Sequence, residues 1–182
     1  MDFTEKLLSR REIFHGRVVN VHCDAVLLPN GHESTREVVD HPGGVAIVAL
    51  DGEERVLTVS QYRYVFSRVL EEIPAGKLEP GEDPAAAALR ELREETGAIP
   101  GRFTPLGRIL PSPGCYGEVL WLYLAQDLTF AAQSPDEDEF LTVSRTPFDT
   151  LLRRILSGEI EDAKTVAAIL KVAALRKEGG TN

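Results

Sequence analysis

Three glutamates lie within the segment RELREETG, residues 90–97. At about 100° per residue, a helix would bring Glu91, Glu94 and Glu95 onto one side. Carboxylates at this spacing repel each other by a few tenths of a kcal/mol per pair, unless a partner neutralises them. Two interpretations follow: a solvated charged face, or a group of oxygen ligands for a hard divalent cation.

The flanking residues predict the helix that carries these glutamates. Asp83 suits the N-cap and Pro84 the first helical position, and Gly97 follows where a helix would end. On a helical wheel the glutamates form an acidic edge beside a core edge that contains Ala85, Leu89 and Leu92. Arg90 lies on the acidic side, where it can pair with Glu94 or serve as an ordinary surface ion-pair partner.

Composition limits the classes of function. The chain has 182 residues and a net charge of -9, which disfavours nucleic-acid binding because phosphate backbones attract clustered Lys and Arg. The apolar runs are too short to cross a membrane, and the N-terminal segment does not resemble a secretory signal, so we expect a cytoplasmic protein. Two cysteines, Cys23 and Cys115, argue against a disulfide framework and a zinc site.

Hydrophobic patterns predict the order of elements. Residues 16–42 alternate apolar and polar side chains around Asn30-Gly31, a two-residue hairpin signal, and predict an N-terminal β-meander. Residues 43–63 predict a second antiparallel pair of strands joined at DGEE. Two further strands are predicted at 101–110 and 117–128, and two more helices at 147–158 and 162–177. This order indicates an α+β or α/β/α layered fold.

A longer pattern surrounds the glutamates. The segment from residue 76 to 98 fits Gx5Ex7REUxEExGU, where U is a bulky aliphatic residue, at Gly76, Glu82, Arg90, Glu91, Leu92, Glu94, Glu95, Gly97 and Ala98. This pattern resembles the Nudix box, and only Ala98 is smaller than usual for its position. So many fixed residues at fixed spacing make the resemblance specific.

Other segments resemble the ADP-ribose pyrophosphatase branch of the Nudix family. They are QYRY at 61–64, LEEIPAGKLEPGE at 70–82, SPG at 112–114 and PDEDEF at 135–140. In this family a proline sixteen residues beyond the last glycine of the box is associated with ADP-ribose hydrolysis, and that residue is Pro113 here. The resemblance implies an α+β fold, an α/β/α sandwich of Nudix type at 43–182, with an N-terminal antiparallel β-meander at 1–42.

The resemblance also implies an activity. It predicts hydrolysis of ADP-ribose to AMP and ribose 5-phosphate, with Mg²⁺ as cofactor and Mn²⁺ as a substitute. Glu91, Glu94 and Glu95 are the predicted metal ligands, completed by the carbonyl of Ala75 and by Glu79 or Glu82. Glu82 also has a competing role in orienting the loop.

Catalysis needs a general base besides the metal ligands. The acidic run at 136–139 is either a solubilising loop or, as the family implies, a loop that closes over the substrate. Matching the family's motif assigns the base to Glu137, with Glu139 as the alternate. Arg90, a fixed residue of the box, completes the predicted catalytic set.

Substrate recognition is assigned by the same resemblance. Arg36 and Arg63 occupy positions where the family places groups for the nucleotide and phosphates, although each also suits a structural ion pair. Glu72 is predicted to accept a hydrogen bond from the adenine amino group. Tyr62 and Phe66 are candidates for stacking on the base, although aromatic residues in strands are more often part of the core.

Three functions remain open at this point. The first is ADP-ribose hydrolysis, the second is hydrolysis of another nucleoside diphosphate sugar such as GDP-mannose or ADP-glucose, and the third is a non-catalytic sensor of ADP-ribose. The complete set of carboxylates argues against the sensor. The expected partner is a small nucleotide-sugar substrate, with no nucleic acid and no membrane. Family members dimerise through the N-terminal meander, so a homodimer is also predicted.

Overall fold

The structure, a computed structural model, describes residues 2–134 and 140–179. The described residues form a mixed α+β fold, as predicted. The strands are β1 (Lys6–His15), β2 (Asn20–Leu27), β3 (Glu33–Asp40), β4 (Gly44–Ala49), β5 (Arg55–Arg63), β6 (Arg68–Glu72), β7 (Ala75–Lys77), β8 (Ala98–Ile109), β9 (Leu120–Phe130) and β10 (Leu141–Pro147). The helices are α1 (Pro84–Thr96), α2 (Phe148–Leu156) and α3 (Ala163–Gly179), and a short 3₁₀ helix spans Tyr64–Phe66.

The chain divides into two compact units. The first comprises Met1–Gly43 and Leu110–Val119, and the second comprises Gly44–Ile109 and Leu120–Asn182. The first unit thus includes Leu110–Val119 in addition to the N-terminal segment. The domain division between residues 42 and 43 stays a prediction.

The first unit contains the antiparallel meander β1-β2-β3. The predicted hairpin joins β2 to β3, but its loop has three residues rather than two. Leu28 N donates to His32 O and Gly31 N donates to Leu28 O, so Pro29, Asn30 and Gly31 form the loop. Pro29 suits the second position of a turn, so Asn30 takes the third position. Gly31 follows in the left-handed conformation, with φ 83°.

The predicted pairing of the two strands within residues 43–63 is wrong. β4 lies in a four-stranded sheet of order β7-β4-β9-β8, whereas β5 lies between β10 and β6 in a three-stranded sheet. β4 is buried along its whole length and has β7 on one side and a parallel β9 on the other. Because both edges of β4 are already paired, β5 cannot pair along it, and an isolated bridge between Leu50 and Val56 links the ends of the two strands.

The second unit has helices on both faces of the four-stranded sheet. Val45, Ile47 and Ala49 of β4 pack in a core cluster with Ala87, Ala88 and Leu92 of α1. The alternate residues Ala46, Val48 and Leu50 pack in a second cluster with Leu151 of α2 and Ile169 of α3. Successive side chains of a strand point to opposite faces, so β4 contributes to both cores and lies between them. This arrangement is the predicted α/β/α sandwich.

The remaining elements agree with the sequence patterns at most points. β8, β9, α2 and α3 occupy the segments predicted for them. β10 was not predicted, because its residues are mostly exposed and give little hydrophobic signal. Within residues 2–134 and 140–179, no helix combines the length and apolar character needed to cross a membrane.

Candidate active site

Helix α1 carries the central residues of the site, and its ends are fixed as the sequence predicts. The Asp83 carboxylate accepts hydrogen bonds from Ala85 N (3.1 Å) and Ala86 N (3.0 Å), which satisfies two free amides of the first turn. Pro84 is the first helical residue. Gly97 ends the helix in the left-handed conformation, φ 71°, which glycine adopts without strain. Strong local signals therefore set where the helix that carries the glutamates begins and ends.

Two of the glutamates lie within the packed face of α1. Glu91 is 8% exposed and Glu95 is 3% exposed, among buried Ala87, Ala88 and Leu92. The predicted arrangement of an acidic edge beside a core edge therefore needs correction, and Leu89, assigned to the core edge, is 40% exposed. Two carboxylates on successive turns at such low exposure lose most of their hydration, so they favour a nearby cation strongly.

The short strand β7 passes directly beside these carboxylates. Ala75 N donates a hydrogen bond of 3.1 Å to Glu95 Oε2. A Cβ atom added to Gly76 would lie 1.9 Å from the carboxyl carbon of Glu91, so only glycine leaves room for this carboxylate. β7 is held by pairing with the central strand β4 at Ala46↔Ala75 and Val45↔Gly76. The main chain of β7 and the side chains of α1 thus form one wall of a site.

Arg90 links three acidic side chains of this region through hydrogen bonds. Its guanidinium donates to both carboxylate oxygens of Glu82 at 2.9 Å, to Glu91 Oε1 at 2.9 Å and to Glu94 Oε2 at 3.0 Å. The predicted pairing of Arg90 with Glu94 is present. Hydrogen bonds from Arg90 lower the pKa of Glu82 to about 2, and the surrounding carboxylates raise the pKa of Arg90. All three carboxylates stay close together because one planar cation serves them.

The chemistry of these donors fits a hard divalent cation. In the part of the chain that the structure describes, no group of three His, Cys, Asp or Glu side chains is arranged to hold a metal ion. The oxygens of Glu91 and Glu94 instead face Arg90, and Glu95 faces the amide of Ala75. The fit rests on the buried carboxylates and on the space that Gly76 leaves at Glu91, since carboxylate and carbonyl oxygens are the ligands of Mg²⁺ and similar ions.

Arg63 and Glu72 form a second group in the same unit. Arg63 donates two hydrogen bonds of 2.6 Å to Glu72, which is 1% exposed, and Lys164 donates to the same carboxylate. Burial alone would raise the pKa of Glu72, but the Arg63 hydrogen bond and the Lys164 charge outweigh it and hold the pKa below its usual range. Glu72 is therefore ionised and already bonded to two cations.

The remaining predicted site residues belong to several parts of the chain. Arg36 and Pro113 belong to the first unit, where Arg36 donates to Glu5 and to Thr35 O. Pro113 lies in an exposed turn closed by Tyr116 N donating to Ser112 O at 3.1 Å. Tyr62 and Phe66 lie outside the core, at 56% and 63% exposure. Glu137 and Glu139 lie outside the described residues.

Two family models together match residues 5–169. Residues 40–169 match the family model described as NUDIX domain. The chain belongs to the Nudix family. Residues 5–39 match a second model, described as nucleoside diphosphate sugar hydrolase N-terminal domain. The predicted resemblance is therefore confirmed, and the protein is placed among the Nudix hydrolases.

Individual relatives of this Nudix protein cover nearly its full length. It is 41% identical to "ADP-ribose pyrophosphatase" of Bacillus subtilis, over 91% of this chain and 90% of the relative. It is 44% identical to "Methanol dehydrogenase activator" of Bacillus methanolicus, over 92% and 91%. A solved structure titled "Crystal structure of ADP compounds hydrolase" matches with a TM-score of 0.86 at 21% identity, over 100% of both chains. That structural match supports the Nudix fold.

Sequence reasoning missed one group of residues around the Nudix box. At the start of α3, Lys164 donates to Glu72 and the hydroxyl of Thr165 accepts Ile73 N, just before β7. Asp162 accepts hydrogen bonds from both Lys164 and Thr165. The available signal was the predicted start of the last helix at Asp162. The sequence alone does not show that this helix start contacts a segment about ninety residues earlier.

Proposed function

We propose that this Nudix protein is a Mg²⁺-dependent pyrophosphohydrolase that cleaves ADP-ribose to AMP and ribose 5-phosphate. The observation that carries the proposal is the burial of Glu91 and Glu95 against the main chain of Ala75 and Gly76. Nudix hydrolases generally use divalent metal ions. The name of the Bacillus subtilis relative supports the choice of ADP-ribose.

The residues of the box divide the work as follows. Glu91, Glu94, Glu95 and the carbonyl of Ala75 would hold the metal, and Glu79 or Glu82 would complete the set. When bound, Mg²⁺ neutralises charge on the pyrophosphate and polarises the phosphorus under attack. Arg90 orients Glu91 and Glu94 through its hydrogen bonds and keeps Glu82 ionised.

The remaining requirement is a group that removes a proton from the attacking water. Carboxylates that hold a metal are poor bases, so we assign the proton transfer to Glu137, with Glu139 as the alternate. Both residues follow the family motif in PDEDEF. The oxygen of the water attacks phosphorus while a proton of the same water passes to the carboxylate. The departing phosphate carries away the electrons of the broken P–O bond.

Glu137→Gln tests this assignment. A general base contributes about two to four orders of magnitude, so kcat is expected to fall by at least about 100-fold, with nearly unchanged affinity for substrate and Mg²⁺. The acidic limb of the pH–rate profile should disappear with it. Glu139→Gln is the matched control, and a loss of kcat confined to that variant would move the role to Glu139. Full activity in both variants would remove the loop from catalysis.

Substrate recognition is assigned to four residues. Arg63 is anchored by Glu72 and keeps 39% of its side chain exposed, which suits a cation that contacts phosphate oxygens. Glu72 is proposed to act in recognition by holding Arg63 in place, because its own carboxylate is 1% exposed and bonded to Arg63 and Lys164. Arg36 and Pro113 are proposed to contact the nucleotide and the ribose end.

A substrate panel tests the proposed function. ADP-ribose, ADP-glucose, GDP-mannose and a nucleoside triphosphate are compared in one buffer with Mg²⁺, with release of AMP, GMP or sugar phosphate measured by chromatography. We expect ADP-ribose to give the highest kcat/KM. A tenfold preference for GDP-mannose or ADP-glucose would establish the second candidate, which the nucleoside diphosphate sugar hydrolase match favours. Binding of ADP-ribose with no turnover of any substrate would establish the sensor.

The proposed assembly is a cytoplasmic homodimer formed through the meander. All ten residues of β1 are exposed, among them Leu7, Leu8, Ile13 and Phe14 at 57%, 49%, 52% and 56%. Apolar side chains grouped on one strand favour a protein partner, and a second copy of the chain is the proposed one.

A further candidate function rests on the Bacillus methanolicus relative. Its name describes activation of methanol dehydrogenase, and the two chains share 44% identity over nearly their whole length. Addition of the purified protein to a methanol dehydrogenase, with the rate compared to that with Glu95→Gln, distinguishes an activator that needs hydrolysis from one that acts by binding.

A further inference from the structure

The first turn of α3 holds the segment that leads into β7. This turn, Asp162–Thr165, has the sequence DAKT and is called the DAKT turn here. Ile73 N donates a hydrogen bond of 2.9 Å to Thr165 Oγ1. Both residues are fully buried, so no water can replace this bond if the hydroxyl is lost. Ile73 lies two residues before Ala75, the proposed carbonyl ligand.

The hydroxyl of Thr165 has a fixed orientation. It donates its single proton to Asp162 Oδ2 at 2.5 Å, and the same oxygen accepts Thr165 N at 3.0 Å. Because the proton points to Asp162, the hydroxyl oxygen presents its lone pairs to Ile73 N. An acceptor held in this way fixes the position of the Ile73 amide more closely than a freely rotating hydroxyl would.

Lys164 holds the preceding residue from the same turn. Its ammonium donates to Asp162 Oδ1 at 2.9 Å and to the buried carboxylate of Glu72. Asp162 therefore orients both contacts, one through each carboxylate oxygen. The DAKT turn contacts the side chain of Glu72 and the main chain of Ile73, two successive residues of the segment.

The next two residues are held from other directions. Pro74 O accepts Ile47 N of β4 at 2.9 Å, and Ala75 N donates to Glu95 of α1 at 3.1 Å. Residues 72 and 73 are thus hydrogen-bonded to the start of α3, residue 74 to β4 and residue 75 to α1. A shift at Ile73 would be transmitted through Pro74 to Ala75 over two peptide units, since each peptide group is planar and stiff.

We propose that Thr165, oriented by Asp162, is a positioning residue that sets the place of the Ala75 carbonyl and the Glu95 carboxylate for metal binding. The inference rests on the proposed function, because it assumes that these two groups bind the divalent cation. Thr165 does not touch the substrate or the metal. Its effect passes through Ile73 and the two residues that follow.

Thr165→Val tests the proposal, because valine has nearly the same shape and lacks the acceptor for Ile73 N. Thr165→Ser retains the hydroxyl and serves as the rescue variant. Thr58→Val is the matched control: Thr58 is also fully buried in the second unit, but its hydroxyl donates to the side chain of Glu71, whereas the Thr165 hydroxyl accepts the main-chain amide of Ile73. Thermal melting of all three full-length proteins establishes how much stability each substitution removes.

Three measurements separate positioning from simple stabilisation. Amide hydrogen exchange at Ile73 reports the broken bond, titration with Mn²⁺ followed by electron paramagnetic resonance gives the Kd of the metal, and kinetics give kcat and KM. Residues that orient metal ligands contribute about 10-fold to 100-fold to metal affinity or activity. We therefore expect Thr165→Val to raise the Kd for Mn²⁺ or to lower kcat by at least about tenfold relative to Thr58→Val. The KM for ADP-ribose should stay nearly unchanged, and Thr165→Ser should recover the wild-type values.

The opposite results would overturn the proposal. Equal Kd and kcat in Thr165→Val and Thr58→Val, with faster exchange at Ile73 in the former, would show that the bond contributes to stability alone. The Mn²⁺ titration needs no substrate, so it remains decisive if ADP-ribose is not hydrolysed. Absence of turnover in the wild-type protein would count against the proposed function, whereas a selective change in Kd would still support the role of Thr165.

Discussion

Replacement of Glu95 by glutamine is expected to lower kcat by roughly 100-fold or more while the fold is retained. A catalytic metal ion contributes several kcal/mol of transition-state stabilisation, and each 1.36 kcal/mol corresponds to about tenfold in rate. Glutamine has the same shape, and its amide oxygen can still accept Ala75 N in place of Glu95 Oε2. The variant therefore removes one negative charge and little else.

Thermal melting with and without Mg²⁺ checks the physical reason for this loss. Glu95 and Glu91 are both buried, so removal of one charge relieves repulsion, and the metal-free variant should melt at or above the wild-type Tm. The rise in Tm on addition of Mg²⁺ should shrink, because bound metal stabilises the folded state by mass action. Glu53→Gln, whose side chain is 73% exposed, is the control and should behave as wild type. Near-wild-type turnover in Glu95→Gln would contradict the assignment.

Gly76→Ala is expected to have a comparable effect on activity with only a modest effect on stability. The added methyl group would lie within 2.3 Å of the carboxyl carbon and both oxygens of Glu91. These atoms are the far end of a flexible side chain, so the clash is relieved by displacing the carboxylate from β7. A shift of about 1 Å in a catalytic group can cost about 100-fold in rate. The fold survives because the backbone at Gly76 is not in the left-handed region.

Gly52→Ala is the matched control for this substitution. A Cβ atom added to Gly52 meets no atom within 4 Å, and this residue also lies in the second unit. Steady-state kinetics and melting curves of both variants are compared with the wild type. A loss of activity in Gly76→Ala that merely tracks its loss of Tm, or no loss at all, would show that the position of Glu91 is unimportant.

Local signals in the sequence were sufficient for the central helix. The bounds of α1 follow from Asp83, Pro84 and Gly97, which act within one turn of each helix end. The Nudix box likewise depends on spacing within a single loop and helix. These parts could be predicted because cause and effect lie close together in the chain.

Features that depend on distant residues could not be predicted in this way. β4 and β5 are adjacent in sequence, yet β4 pairs with β9, which begins at Leu120. The burial of Glu91 and Glu95 requires the small residues of β7 to pass beside them, and a helical wheel contains no such information. The hydrogen bond between Ile73 and Thr165 joins residues 92 positions apart. Each of these depends on tertiary packing.

Anomalous scattering from crystals of the wild-type protein soaked in Mn²⁺ tests the metal assignment most directly. A single peak, or a close group of peaks, is predicted at bonding distance from carboxylate oxygens of Glu91 and Glu95 and from the carbonyl oxygen of Ala75. Crystals of Glu95→Gln should show a weaker peak at the same place. Mn²⁺ bound away from α1 and β7, or no ordered Mn²⁺ in crystals of an enzyme that is active with Mn²⁺, would contradict the proposed site.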